Sequence, residues 1–157
     1  MKKYHFTLNR KDANLQALVQ SSDQRTLASW AIACVERVLP YFDQAYPTDY
    51  RPQQALNTLQ NWIQTGQFTM SVIRSASLNA HAAAREIELE SPARSAARAA
   101  GQAVTTAHVP AHALAAANYA LQAICFASDP ETAEAAVASE AHWQYQRLIE
   151  LTSGNKN

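Results

Sequence analysis

The sequence predicts an all-α protein, a helical bundle of about six helices with one long central helix. Apolar residues recur with a period of about 3.6 in every long segment, and no segment alternates over the length of a strand. Proline, glycine and short polar residues separate these segments, as they do at helix ends. The 157 residues suffice for one domain with a sizeable core. We therefore expect a single helical domain over 1–157, with an extended N-terminal arm over 1–11 and a frayed tail over 152–157.

The first two helices are indicated by their N-caps and their apolar spacing. Asp12 caps a first helix that is expected to run to Gln20, because a short acidic side chain accepts from the free N–H groups of the first turn. Ser22 or Asp23 caps the second helix, and Pro40 is expected to end or kink it. The inward positions of the second helix are Leu27, Trp30, Ala31, Cys34, Val35, Val38 and Leu39.

The third and fourth helices follow the loop that ends at Tyr50. Pro52 lies in the first turn of the third helix and Gly66 follows its end, which is the usual asymmetry of helix termini. Thr69 caps the fourth helix, which is expected to reach about Glu88. The inward residues of these two helices are predicted to be Leu56, Leu59, Trp62 and Ile63, then Val72, Ile73, Ala76, Ala80, Ala83 and Ile87.

A long central helix, rich in alanine, is predicted over 91–128. Ser91 and Pro92 open it, and Pro110 removes one backbone donor within it, so we expect a kink or a break near His108. The last helix opens at Asp129-Pro130 and is expected to bury Ala133, Val137, Trp143 and Leu148.

Charge and motif content narrow the function. Thirteen basic and 13 acidic residues give a formal net charge of +0, which argues against affinity for nucleic acid or a membrane surface. No apolar run is long enough to span a membrane, so we expect a cytoplasmic protein. Cys34 and Cys125 lie in apolar helical patterns and are expected to be buried free thiols. The chain has no glycine-rich phosphate loop, GxSxG, CxxC or HExxH, so neither an enzyme nor a cofactor is predicted.

The central helix has a polar stripe beside a stripe of small apolar residues. The small stripe lets a neighbouring helix come close, and Ala97, Ala100 and Ala107 are expected to face that helix. The polar stripe is then either a hydrogen-bonded seam or a site. The polar stripe consists of Arg94, Arg98, Gly101, Thr105, His108, His112 and Tyr119, and the small stripe of Ala93, Ala97, Ala100, Val104, Ala107, Ala111 and Leu114.

The fourth helix carries a second polar stripe. If the fourth and central helices pair antiparallel through the turn ELESP, the two stripes meet, and few acids lie nearby to neutralise them. One interpretation is a solvated face, or one paired with Asp49, Asp43 or Glu36. The other is a surface for a carboxylate-rich or phosphate-bearing partner. Burial in a seam is expected for Arg98 and His108, and exposure for Arg85 and Arg94. The second stripe consists of Arg74, Leu78, His81, Arg85 and Glu88.

Two smaller patterns also bear on function. His108 and His112 are four residues apart, a spacing that can bind one metal ion, and His81 is the best third ligand. No glutamate lies between the pair to act as a base, so structural histidines are the favoured interpretation. Asp49 is placed to cap the third helix and Arg51 to pair with an acid across the loop, which indicates a structural corner.

Four landmarks in chain order make the sequence resemble a known family. They are WAIACVERVLP from Trp30 to Pro40, DYRP from Asp49 with WIQTG ending at Gly66, HAAAR from His81 to Arg85, and AARAAGQA with HVPAHA and Tyr119-Ala120. From about Phe6 to Leu148 the chain resembles the bacterial putative immunity protein family, with Trp143, Gln144, Arg147 and Leu148 as its closing segment. The resemblance implies a small helical protein that protects its host by binding a toxin, and it brings no catalytic residues.

Two classes of function therefore stay open. The first is a protein that binds and neutralises a cognate bacterial toxin. The second is a helical metal- or small-ligand-binding protein that uses His81, His108 and His112. A protein partner is expected, nucleic acid and membrane are not, and a homodimer stays open. The candidate binding residues are Arg74, His81, Arg85, Arg94, Arg98, His108 and His112.

Overall fold

The computed structural model describes residues 3–154, and over that range the chain forms eight α-helices and no strand. The all-α class is confirmed, whereas the expected number of about six helices is too low. The helices are α1 (Ala13–Ser21), α2 (Gln24–Glu36), α3 (Leu39–Ala45), α4 (Arg51–Thr65), α5 (Met70–Arg85), α6 (Pro92–Thr105), α7 (His112–Ala127) and α8 (Ala133–Gly154).

One additional helix begins where Pro40 was expected to end or kink the second. The chain turns at Arg37 and Val38, and α3 then starts with Pro40 in its first turn. A proline in the first turn removes an N–H that has no partner within the helix, so it opens α3 at no cost in hydrogen bonds. Phe42 buries its ring from this short helix and is only 1% exposed.

The other additional helix comes from a full break in the predicted central helix. α6 ends at Thr105, six residues form turns, and α7 starts at His112. The amide nitrogen of Gln24 donates to the carbonyl oxygens of Thr106 and Ala107, at 3.0 and 2.9 Å, and so satisfies acceptors at the end of α6. The expected break near His108 is therefore confirmed, but a single kinked helix is wrong, and His112 does not belong to the helix that carries Arg94 and Arg98.

Most predicted helix ends are confirmed. Asp12 accepts from the N–H groups of Asn14 and Leu15, and Asp23 accepts from that of Thr26. Gly66 ends α4 with φ of 70°, in the left-handed region that favours glycine. The α5 helix ends at Arg85 and not near Glu88.

The two ends of the described chain differ in structure. From Lys3 to Asp12 the arm contains no helix. The α8 helix continues to Gly154. Residues 1–2 and 155–157, on which parts of the expected arm and tail fall, lie outside the described residues.

α6 lies at the centre of the molecule, in contact with α3, α4, α5 and α7. Its alanines are almost all buried, and the expectation that Ala97, Ala100 and Ala107 face other helices is confirmed by exposures of 5% or less. Small side chains at the contact allow the neighbouring helix axes to approach closely. Ala111 of the same predicted stripe is exposed, because the helix has already broken before it.

A buried polar network joins the N-terminal arm to the opposite end of the chain. Gln144 is fully buried, its side-chain oxygen accepts from Arg10 at 2.6 Å, and its amide donates to the carbonyl of Ala117 at 3.0 Å. Trp30 donates its indole N–H to the backbone carbonyl of Gln144 at 2.8 Å. Asn118 donates to the carbonyl of Leu8 at 2.9 Å. These bonds hold the extended arm against α7 and α8.

The remaining expectations concern cysteines and membrane crossing. Cys34 is a buried free thiol as predicted, and Cys125 is free but only half-buried. Burial raises the pKa of both thiols above the ordinary value. Between residues 3 and 154, no helix has the length and apolarity needed to cross a membrane.

Candidate partner-binding face

The α5 and α6 helices pair antiparallel, as the two polar stripes predicted. Ser77 of α5 donates its hydroxyl to the carbonyl of Gly101 at 2.9 Å. Thr105, one turn further along α6, donates to the Ser77 hydroxyl at 3.2 Å and also contacts the Gly101 carbonyl. One turn after Ser77 on α5, the His81 ring lies over Gly101. The seam between the two helices is therefore made by buried Gly101 and the half-buried side chains of Ser77, His81 and Thr105.

Gly101 is required by the close approach of His81. A Cβ atom added at this position would lie 2.6 Å from Nε2 of His81, well inside normal contact. The imidazole therefore occupies the space that any other residue at position 101 would fill. The sequence placed Gly101 on the polar stripe but did not show why a glycine stands there.

Positive groups surround His81 on three helices. Burial lowers the pKa of His81, and the charges of Arg98 on α6, Arg85 on its own helix and His112 on α7 lower it further. His112 itself bonds to Gln102 through Nδ1 at 2.6 Å, and burial followed by the charge of His108 lowers the pKa of His112. Both imidazoles are therefore held in the neutral form near pH 7.

His108 does not belong to the seam, contrary to expectation. It is exposed, and its ring stacks on that of Phe68 with centroids 5.8 Å apart. The turn that breaks the helix after Thr105 carries His108 away from the small-residue contact. It lines a shallow cavity of about 200 Å³ together with Arg74, Leu78 and Thr105.

The three histidines also fail to form a metal site. In the part of the chain that the structure describes, no group of three His, Cys, Asp or Glu side chains is placed to hold a metal ion. The alternative ligand set His81, His108 and His112 is not brought together in the described chain: the His108 ring stacks on Phe68, and His112 bonds to Gln102.

The arginines near the seam lack acidic partners. Within residues 3–154, Arg74, Arg85 and Arg98 form no hydrogen bond or ion pair, and Arg94 reaches only the backbone carbonyl of Glu88 at 3.5 Å. Arg74 and Arg85 are exposed, and Arg94 and Arg98 are half-buried, so the expected exposure of Arg85 is confirmed. We call the surface formed by these groups the α5–α6 face; it consists of Arg74, His81, Arg85, Arg94, Arg98, His108 and His112.

The acidic residues that were considered as partners of the two polar stripes either pair with another arginine or form no ion pair with the face. Arg51 holds Asp49 at 2.7 Å and Glu86 at 2.6 Å, joining the start of α4 to the end of α5. Hydrogen bonds from Arg51 lower the pKa of the Asp49 carboxyl. The structural corner is confirmed, with Asp49 accepting from the first N–H of α4 while Tyr50 occupies the N-cap position. Among the described residues, Asp43 and Glu36 form no ion pair with the face.

Two apolar side chains of α5 are exposed, on different sides of the helix: Leu78 lies beside Arg74 and His108, whereas Val72 lines a cavity between α4 and α5. Val72 is 52% exposed although its spacing predicted an inward position, and Leu78 is 56% exposed. α5 makes its main helix contacts with α4 and α6, and its outer surface, with Arg74, Leu78 and Arg85, remains exposed. Periodicity alone places Val72 close to the inward stripe. Only the positions of the neighbouring helices show that they do not cover its side chain.

A comparison with known families supports the resemblance noted from the sequence. No curated protein and no solved structure matches the chain. The family model described as "Imm-5 like putative immunity protein" matches residues 17–151, which include α2 to α7, most of α1 and nearly all of α8. The chain therefore belongs to the Imm-5 like putative immunity protein family.

Proposed function

We propose that this protein binds and neutralises a cognate toxin through the α5–α6 face. The observation that carries the proposal is a set of arginines without acidic partners among the described residues, on a surface that also exposes Leu78. Arginine is enriched at protein interfaces, and a guanidinium group binds a carboxylate through two parallel hydrogen bonds. Membership in an immunity protein family supports a protein as the partner.

The charge of the face favours an acidic surface on the toxin. A toxin that binds nucleic acid through its own basic surface would be repelled by Arg74, Arg85 and Arg98. An acidic surface would instead speed association at low salt and satisfy the guanidinium groups in the complex. Neutral His81 and His112 contribute hydrogen bonds there without adding to the charge.

Calorimetric titration against a purified candidate toxin, chosen from the products of the neighbouring genes, would test the proposal. We expect Arg85→Glu and Arg98→Glu to weaken binding by roughly a hundredfold each, since a like-charge contact at an interface costs several kcal/mol. Arg147→Glu is the matched control, because Arg147 lies on α8 and, among residues 3–154, forms its one ion pair with Glu150. Circular dichroism of each variant shows that it is folded.

Loss of protection should follow loss of binding. Cells that express the toxin should be rescued by the parent chain and by Arg147→Glu, but not by the other two variants. Equal affinity and equal rescue for all three variants would exclude the α5–α6 face as the binding surface.

A further inference from the structure

A small cavity of about 240 Å³ opens between α6 and α7, beside the α5–α6 face. Arg94 and Arg98 contribute to its lining from α6, and Tyr119 and Gln122 from α7. The two helices run antiparallel here. Two residues one turn apart on α6 therefore lie opposite two residues one turn apart on α7. By volume the cavity has room for about eight water molecules, or for one amino-acid side chain and some water.

The polar groups in this cavity are almost all hydrogen-bond donors. Buried Ser95 donates its hydroxyl to the side-chain oxygen of Gln122 at 2.9 Å, which leaves the Gln122 NH₂ group without an acceptor among residues 3–154. The Tyr119 hydroxyl and the Arg98 guanidinium have no hydrogen-bond partner in that range either. Arg94 has only its long contact to a backbone carbonyl. Free donors on both helices therefore converge on one space.

The walls of the cavity restrict which anion fits. Leu8 and Phe126 contribute apolar surface, and Glu90 contributes the single acidic side chain of the lining. The acid disfavours a dianion such as phosphate, while the apolar surface suits an alkyl stem. A monoanionic carboxylate on a short hydrocarbon chain matches both features.

We propose that the α6–α7 cavity binds a carboxylate, and that the carboxylate is an acidic side chain of the protein partner. That the carboxylate comes from a protein partner rests on the proposed function. That the cavity binds a carboxylate rests on the cavity's own side chains. In the complex, Arg98 and Arg94 hold the carboxylate by charge-assisted hydrogen bonds, and the Tyr119 hydroxyl and Gln122 amide complete the set of donors. The Ser95 bond keeps the Gln122 amide turned toward the ligand.

The cavity can be tested without the toxin, by nuclear magnetic resonance of the isotope-labelled chain. The probe is N-acetyl-glutamate N-methylamide, with the glutamine analogue as the uncharged control, at matched ionic strength. We expect shift changes around Tyr119 and Gln122 with the glutamate probe, and at least about tenfold weaker binding of the glutamine probe. Arg98→Gln should abolish the response and Tyr119→Phe should weaken it several-fold, while Arg147→Gln, on α8 and outside both the cavity and the α5–α6 face, should leave it unchanged.

Other outcomes would overturn the inference. Equal binding of the two probes, no response at millimolar concentrations, or stronger binding of inorganic phosphate would each refute a carboxylate site. If the glutamate probe binds as expected but Arg98→Gln holds the toxin as tightly as the parent, the partner's side chain is refuted as the source. If Arg85→Glu and Arg98→Glu both bind the toxin as tightly as the parent, the proposed function is refuted. The probe titration then still decides, on its own, whether the cavity binds a carboxylate.

Discussion

Arginines on two sides of this molecule have different surroundings. Near α8, Arg10 bonds to buried Gln144, while Arg37 forms two bonds to Glu140 and lies 3.9 Å above the ring of Trp143. On the α5–α6 face, Arg85 and Arg98 have no such partners within the described chain. The first group joins elements of the fold, and the second is available to another molecule. A count of charges, which is neutral overall, does not reveal this division.

The largest expected effect on stability tests the arginines near α8, which join elements of the fold. Gln144→Leu removes the 2.6 Å acceptor of the half-buried Arg10, which keeps only the Ala141 carbonyl, and the side-chain donor to the Ala117 carbonyl, so we expect a loss of about 3 kcal/mol in the free energy of unfolding. Gln146→Leu, two residues further along α8 and exposed, is the matched control and should change stability by less than about 0.5 kcal/mol. Chemical denaturation measures both. Equal stability of the two variants would show that the Gln144 network contributes little.

A middle-sized effect is expected where the α5–α6 face meets the core. Alanine is preferred to glycine in a helix by about 0.5–1 kcal/mol, but at position 101 its Cβ would displace His81. Gly101→Ala should therefore destabilise the parent by about 1–2 kcal/mol and stabilise a His81→Ala background by about 0.5–1 kcal/mol. A double-mutant cycle measures the coupling. If Gly101→Ala has the same effect in both backgrounds, His81 does not require the glycine.

The smallest effects should come from the unpaired groups. Arg85→Ala, Arg98→Ala and His108→Ala are each expected to change the free energy of unfolding by no more than about 0.5 kcal/mol, because the two arginine side chains have no partner among the described residues and His108 loses only an exposed stacking contact with Phe68. Melting temperatures of the three variants, beside that of Gln144→Leu, make the comparison. A loss for Arg98→Ala as large as that for Gln144→Leu would place Arg98 in the seam, as its position beside Gly101 first suggested.

Local signals in the sequence predicted the class of the fold and several of its contacts. Pro52 and Gly66 mark the ends of α4 because their backbone preferences act within one turn. The pairing of α5 with α6 follows from a short connection between two amphipathic segments. Pro40 could not be interpreted in the same way, since a proline after one helix and a proline opening the next are identical in sequence. Burial of Phe42 by distant helices decides between them.

The candidate site was predictable in part, for similar reasons. Spacing correctly brought His81 close to Arg85 and Arg98. It placed His108 in the seam because His108 shares a helical stripe with Gly101, but α6 already ends at Thr105. Gln144 was included in the closing segment, but a glutamine in a helix is typical of a surface, and its burial depends on partners up to 134 residues away. Such partners leave no periodic signal.

The docking of the N-terminal arm also has a consequence for folding during synthesis. Leu8 and Arg10 leave the ribosome early, yet their partners Asn118 and Gln144 follow 110 and 134 residues later. At typical rates of translation the arm waits on the order of ten seconds for these partners. Because Leu8 also forms part of the α6–α7 cavity, that cavity is completed only after the arm has docked, and its carboxylate-binding capacity should be among the last properties that the nascent protein acquires.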